Sequence, residues 1–365
     1  MKRGKTTQFQ TLAPLIIGFL LAGCAAHTPS PAPLTTPASS VVAPSAEATH
    51  TPTPVQTTSP VSHPTPTSAN YESTPEATLT PYPYGVVYAY PASDWTEADR
   101  QAIREHLEYL QELGVNTIVQ VFSSRLIGAG REKDWLILLD EAERINMRVI
   151  ARLWPPDDWN GRDFDFQTIK SFLTIVQDHP ALLAYMGLHE PLEQFDSDQL
   201  QRFYAGVKKI APELAIANYM GNMAWFEESP RFPNRDFGTG ICDICIVWYY
   251  PARYLHGEPA LEEDLVRETL QENRKLVDER APETQLWFLG QTYTQHAHRR
   301  QLRMPTPEEM ETIYAIAEEE GADGFLWYPW AHGNYDQMLS DPDMEPQRQA
   351  VRRIYENHIL QKSTP

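Results

Sequence analysis

The stretch Leu182-Leu183-Ala184-Tyr185-Met186-Gly187-Leu188-His189-Glu190-Pro191 is an apolar run that stops abruptly at an acid and a proline. A nearly continuous apolar run without polar alternation is the pattern of a parallel strand buried on both faces. In (β/α)8 barrels the C-terminal ends of such strands carry the catalytic groups, which makes Glu190 a candidate catalytic residue. Further apolar runs lie on either side, at the spacing of roughly thirty residues that a strand–helix–strand unit needs. They cover Gly85 to Tyr90, Val115 to Phe122, Arg148 to Trp154, Leu182 to Leu188, Leu214 to Tyr219, Ile241 to Trp248, Gln285 to Leu289 and Gly324 to Tyr328. Between them the apolar period lengthens to that of a helix. Thr96 starts one helix, with Ile103, Leu107 and Leu110 on a single face. Thr306-Pro307-Glu308-Glu309 is a capping box with proline at the first helical position, and Gly321 is the stop. Eight alternating units predict a closed parallel barrel with helices outside, in preference to a doubly wound sheet.

The first 24 residues read as a targeting segment outside the fold. Lys2, Arg3 and Lys5 make a basic start, and Leu12 to Leu21 form an apolar run too short to span a bilayer. Leu21-Ala22-Gly23-Cys24 resembles the bacterial lipobox. That resemblance implies cleavage before Cys24, lipidation of its sulfur and acylation of the new amino terminus. Such a multi-chain anchor holds firmly, because each buried methylene contributes roughly 0.8 kcal/mol. From Ala25 to about Pro83 the chain is rich in Pro, Thr, Ser and Ala and contains no Lys or Arg. Too little apolar surface is present there to offset the entropy of ordering, so the segment reads as a disordered, extended stalk. Residues 84–365 then form the barrel domain. The implied location is the bacterial cell envelope, lipid-anchored, with the domain facing outside the cytoplasm.

The chain carries a formal net charge of −19, with 49 Asp and Glu against 30 Lys and Arg. Such a balance argues against nucleic acid and against docking on anionic lipid, so the membrane contact is expected only through Cys24. Neutral partners fit better than polyanions. The other two cysteines stand in Cys242-Asp243-Ile244-Cys245. Strand positions three apart face opposite sides, so two buried thiols are expected there and not a disulfide or metal site. No cofactor is implied.

The ends of the eight runs give an inventory of the barrel mouth. It includes Tyr88; Arg152 and Trp154, followed by Asp157 and Asp158; His189 and Glu190; Asn218 and Tyr219; Trp248, Tyr249 and Tyr250; Gln291 and Tyr293; and Trp327 and Tyr328. Aromatic rings can stack on the C–H faces of sugars, while amides and acids bond the hydroxyls. Arg152 reads as the ion-pair partner of a carboxylate.

With these residues in view, the chain resembles the clan A glycoside hydrolase superfamily. The likeness rests on Glu190-Pro191 at the end of the fourth run and on Gly321-Ala322-Asp323-Gly324-Phe325-Leu326-Trp327-Tyr328 at the eighth. It implies Glu190 as acid/base, Trp327 as the floor of the cleavage subsite, and Tyr249 and Gln291 as hydrogen-bonding partners of the sugar. Two departures stand out. His189 replaces the usual Asn, and Gln291 stands where the nucleophilic Glu is expected. An amide cannot attack an anomeric carbon, so a two-carboxylate mechanism needs its second acid elsewhere, with Asp157 and Asp158 as candidates. A substrate acetamido group is another way to supply the nucleophile. Three readings stay open: a glycosidase with Glu190 as general acid, a carbohydrate-binding protein that has lost catalysis, and an envelope scaffold in which Glu190 only pairs with Arg152 or His189.

Overall fold

The computed structural model describes residues 82–88, 95–154, 164–188, 190–295, 301–331 and 335–362. Eight parallel strands close into a barrel. In chain order they are β1 (Tyr84–Tyr88), β2 (Thr117–Ser123), β3 (Arg148–Trp154), β4 (Leu182–Met186), β5 (Ala215–Tyr219), β6 (Ile244–Trp248), β9 (Gln285–Gln291) and β11 (Gly324–Ala331). Pairing of β1 with β11 closes the ring, with Tyr84 opposite Phe325 and Val86 opposite Trp327. Four short strands interrupt the numbering: β7 (Ala252–Leu255), β8 (Glu258–Leu261), β10 (Tyr293–Thr294) and β12 (Gln337–Met338). They decorate the exits of the sixth, seventh and eighth barrel strands, and the apolar runs gave no sign of them.

Helices α1 (Arg100–Glu112), α2 (Trp135–Arg144), α3 (Phe166–Val176), α4 (Pro191–Gln194), α5 (Ser197–Ile210), α6 (Met223–Glu228), α7 (Glu263–Arg280), α8 (Pro307–Glu319), α9 (Glu345–Ile354) and α10 (Leu360–Lys362) complete the described units. The signals read from sequence act as expected. Ile103, Leu107 and Leu110 form the buried stripe of α1. Thr306 accepts from Glu309 N while Glu309 accepts from Thr306 N, and Gly321 ends α8 with a positive φ of 75°. No helix among the described residues is long and apolar enough to cross a membrane.

Alternation along each strand sorts side chains into two cores. Val87, Val119, Ile150, Met186, Ala217, Tyr219, Ile246, Trp287, Leu289 and Leu326 fill the barrel interior. The residues between them, among them Ile118, Val149, Phe288 and Trp327, pack outward under the helices. This parity decides which strand-end residues can see a ligand. Buried between α1 and α2, Glu141 of α2 joins the two helices: it pairs with Arg104 and Arg100 of α1 and with Arg144 of its own helix. Those hydrogen bonds, led by Arg104, hold its carboxyl down at about 2.

At the opposite end of the barrel, Cys242 and Cys245 form a disulfide. This corrects the expectation of two thiols. The argument from strand geometry failed because the strand begins only at Ile244. Cys242 lies in the bend before it, where the backbone can turn its side chain toward Cys245.

Candidate functional site

At the C-terminal mouth, Glu190 stands just beyond β4 with φ 47° and ψ 52°, a left-handed conformation that non-glycine residues seldom adopt. It caps the short helix α4, its carbonyl accepting from Glu193 N at 3.1 Å. Pro191 cannot donate a backbone hydrogen bond and suits the first helical position, so the chain turns sharply here. The turn leaves Glu190 partly exposed. Holding such a backbone costs on the order of 1–3 kcal/mol, and residues kept that way concentrate at functional sites.

Around it the inward parity assembles a consistent set. Arg152 follows Ile150 on the inner face of β3. Burial pulls its guanidinium below the ordinary value, while Tyr219, Tyr328 and the Glu190 charge act in the opposite direction. Trp248 and Tyr250 stack with ring centroids 4.9 Å apart and planes 14° from parallel. Tyr250 lies nearly parallel to Tyr328 at 6.2 Å, and Tyr293 meets both edge-on. Tyr335, from the loop after β11, lies 4.3 Å from the Tyr293 ring, and its hydroxyl is 3.0 Å from that of Tyr328. Burial first raises the pKa values of Tyr250, Tyr328 and Tyr335 above the ordinary value; the Glu190 charge adds to the rise at all three, and neighbouring phenols add to it at Tyr250 and Tyr335. All three therefore remain neutral hydrogen-bonding groups at physiological pH. Among the described residues the mouth offers one strained carboxylate, one partly buried cation, and a wall of aromatic faces edged with hydroxyls.

Several residues expected at this mouth are elsewhere, most of them one position off the inward parity. Trp327 is fully buried beneath the helices; its indole donates to the Tyr84 hydroxyl at 2.9 Å, and its ring packs against Phe325. It also lies so close to Gly290 that a Cβ there would sit 2.7 Å from the ring. Tyr328, its neighbour, takes the inward place. Tyr88 likewise turns outward, its hydroxyl 3.1 Å from His106 Nδ1 on α1. Asn218 is buried, donating to Ile241 O at 3.1 Å. The Tyr249 hydroxyl donates to Glu262 at 2.7 Å and accepts from Arg253, beside the mouth and not within it.

Gln291 is on the correct parity and still does not face a ligand. It is 0% exposed. Its Oε1 accepts from Ala252 N at 3.0 Å, and its Nε2 lies within bonding distance of Ala252 O, Tyr293 O and Arg303 O. The amide ties together the loops leaving β6 and β9. Tyr293 is buried too, but as part of the aromatic wall. Sequence reasoning missed Tyr335 altogether, since it follows the last strand by four residues and carries no periodic signal. Parity counting would have favoured Tyr219 and Tyr328 over Asn218 and Trp327. His189, Asp157, Asp158, Cys24 and the side chain of Trp154 lie outside the described residues.

Among the described residues there is no group of three or more His, Cys, Asp or Glu suited to a metal ion. No family model matches the chain, and neither does any curated protein. Solved structures do resemble it. The exo-β-1,4-mannosidase from Opitutaceae bacterium strain TAV5 aligns over 78% of this chain and 60% of its own, with 15% identity and a TM-score of 0.55. The endo-α-mannosidase of Bacteroides thetaiotaomicron covers 74% and 82%, at 12% identity and 0.52. The β-1,4-D-mannanase from Cryptopygus antarcticus covers 74% and 90%, at 14% identity and 0.52. At such identities the likeness establishes a barrel fold shared with glycoside hydrolases; residue roles do not transfer with it.

Proposed function

We propose that the protein is a lipid-anchored envelope glycosidase that hydrolyses O-glycosidic bonds of a carbohydrate, with Glu190 as general acid. The observation that carries this reading is the left-handed backbone of Glu190, held at a strand end opposite Arg152 and the tyrosine wall. Conformational strain is maintained at a carboxylate when its placement matters. In the reaction Glu190 gives its proton to the leaving oxygen as the anomeric bond breaks, and water supplies the new oxygen. The stacked rings of Trp248, Tyr250 and Tyr328 provide the apolar face for a pyranose. Since Gln291 is sealed in a backbone network, the second carboxylate is assigned to Asp157 or Asp158. That carboxylate serves either as the base that activates the water, about 6.5–9.5 Å from Glu190, or as the nucleophile, about 5–5.5 Å from it.

Cleavage before Cys24 and acylation there place the domain outside the cytoplasm. The Cys242–Cys245 disulfide supports that location, because such bonds persist in oxidising compartments. A second reading, a binding protein without turnover, is favoured by the same sealed Gln291.

One experiment separates the two. The detergent-solubilised full-length protein is incubated with neutral glucans, mannans, xylans, galactans and chitooligosaccharides, and reducing ends are counted. Release by the wild type and not by Glu190→Gln establishes the hydrolase. Binding of a glycan without release by either establishes the second reading, and no binding of any glycan removes both.

A further inference from the structure

Immediately after Tyr250, the chain leaves the mouth as a β-hairpin. β7 and β8 pair with Ala252 opposite Leu261, Tyr254 opposite Pro259 and Leu255 opposite Glu258. His256 and Gly257 form the turn, both with positive φ (53° and 89°), which matches the right-handed twist of the strands. The root of this hairpin is fixed in several ways. Gln291 brackets Ala252, Arg253 pairs with Glu262 at 2.6 Å, and Arg303 donates to Ala260 O at 2.9 Å. Leu302 bridges to both Arg253 and Gln295, so the hairpin continues sideways into the loop that leaves β9.

The tip contrasts with this polar root. Tyr254 is 37% exposed and Leu255 40% exposed. These are two of the four large hydrophobic side chains that stand exposed among the described residues, and they are adjacent in sequence. Residues directly opposite in an antiparallel pair share a face. The exposed rings of Tyr254 and Pro259 therefore form one shelf, while Leu255 points to the other side. At about 3.3 Å per residue the shelf lies up to roughly 13 Å along the chain from Tyr250, a span of a few sugar rings.

We infer that the Tyr254–Pro259 shelf is a distal subsite that stacks on a sugar unit remote from Glu190, so that the substrate is an extended oligosaccharide or polysaccharide. The inference rests on the carbohydrate reading above and adds chain length to it. A rigid root with an exposed ring at its end suits stacking, since little conformational entropy remains to be lost when a sugar settles on it. Stacking uses the ring face and not the hydroxyl, which makes the conservative variant informative.

The test is affinity as a function of chain length, measured calorimetrically with the full-length protein and disaccharide-to-hexasaccharide series of cello-, manno-, xylo-, galacto- and chitooligosaccharides. Wild-type affinity should rise with length. Tyr254→Ala should weaken hexasaccharide binding about three- to tenfold and leave the disaccharide unchanged, while Tyr254→Phe and Leu255→Ser behave as wild type throughout. Equal loss at every length, or no loss at any, overturns the subsite while leaving the carbohydrate reading intact. Equal damage from Leu255→Ser, on the opposite face, would show that the fold of the tip and not the Tyr254 ring carries the effect, and would overturn the subsite. If the wild type binds no glycan at all, the subsite falls together with the reading beneath it.

Discussion

Two strand exits on the same rim have been treated in opposite ways. At the end of β4, Glu190 is partly exposed, held in a left-handed turn and surrounded by charged and phenolic neighbours that feel its carboxylate. At the end of β9, Gln291 is buried, relaxed within its strand and committed to the backbones of two loops. One exit holds a costly conformation; the other commits its side chain to architecture. Residues at two strand exits of one rim can therefore take opposite roles, one strained at the mouth and one sealed into the architecture.

The sharpest probe of that contrast is Glu190→Gln. Removing the transferable proton should lower turnover by about 10²–10⁴-fold, read as reducing-end release, with glycan affinity within a few-fold of wild type. Unchanged turnover would deprive Glu190 of its role. Gln291→Glu tests the other exit. A carboxylate facing three carbonyl oxygens in a sealed pocket should cost on the order of 3–5 kcal/mol in chemical denaturation and bring no gain in turnover. Increased activity would instead show that the end of β9 can present a carboxylate to a substrate. Trp327→Ala should likewise lose about 3–5 kcal/mol of stability, because the ring fills the outer core beside Gly290. The complementary Trp248→Ala should spare more of the stability and weaken glycan binding.

A smaller effect comes from Glu190→Gly, which relieves the left-handed strain and should raise stability by roughly 1 kcal/mol while abolishing turnover. The smallest concerns pH. Arg104, Arg144 and Arg100 hold Glu141 down at about 2, against an ordinary value of 4.5. Its depressed folded value means that its contribution to stability is fully present above pH 4.5 and disappears as the pH falls from there through about 2. Thermal melts of Glu141→Gln should differ from wild type at neutral pH and converge with it at the acid end. Any activity change above pH 4.5 then belongs to the mouth and not to this link between α1 and α2.

The barrel was legible because its signal is repeated eight times: each apolar run, capping box and glycine stop states the same period. The third run matches its strand at both ends, while other boundaries drifted by up to three residues, as with the sixth strand, which begins at Ile244 and not at Ile241. That small shift also hid the disulfide. The site was legible only in part. Glu190 could be picked out because an acid and a proline end an apolar run. Trp327 and Asn218 were misplaced because strand-end residues were read as a set, when a one-residue step moves a side chain from the mouth to the outer core. Tyr335 and the hairpin tip at Tyr254 follow from loop geometry, which no short-range period encodes.

The Cys242–Cys245 bond has a practical corollary. A bridge closing so small a ring removes little denatured-state entropy, about 2 kcal/mol at most on the chain-entropy model. Its larger effect is on the inventory of sulfur: of the three cysteines in the chain, two are taken by this bond, which leaves Cys24. Unfolded without reductant, the protein should expose one alkylatable thiol if Cys24 is unmodified and none once its sulfur carries a lipid, so a maleimide count doubles as an assay of anchoring.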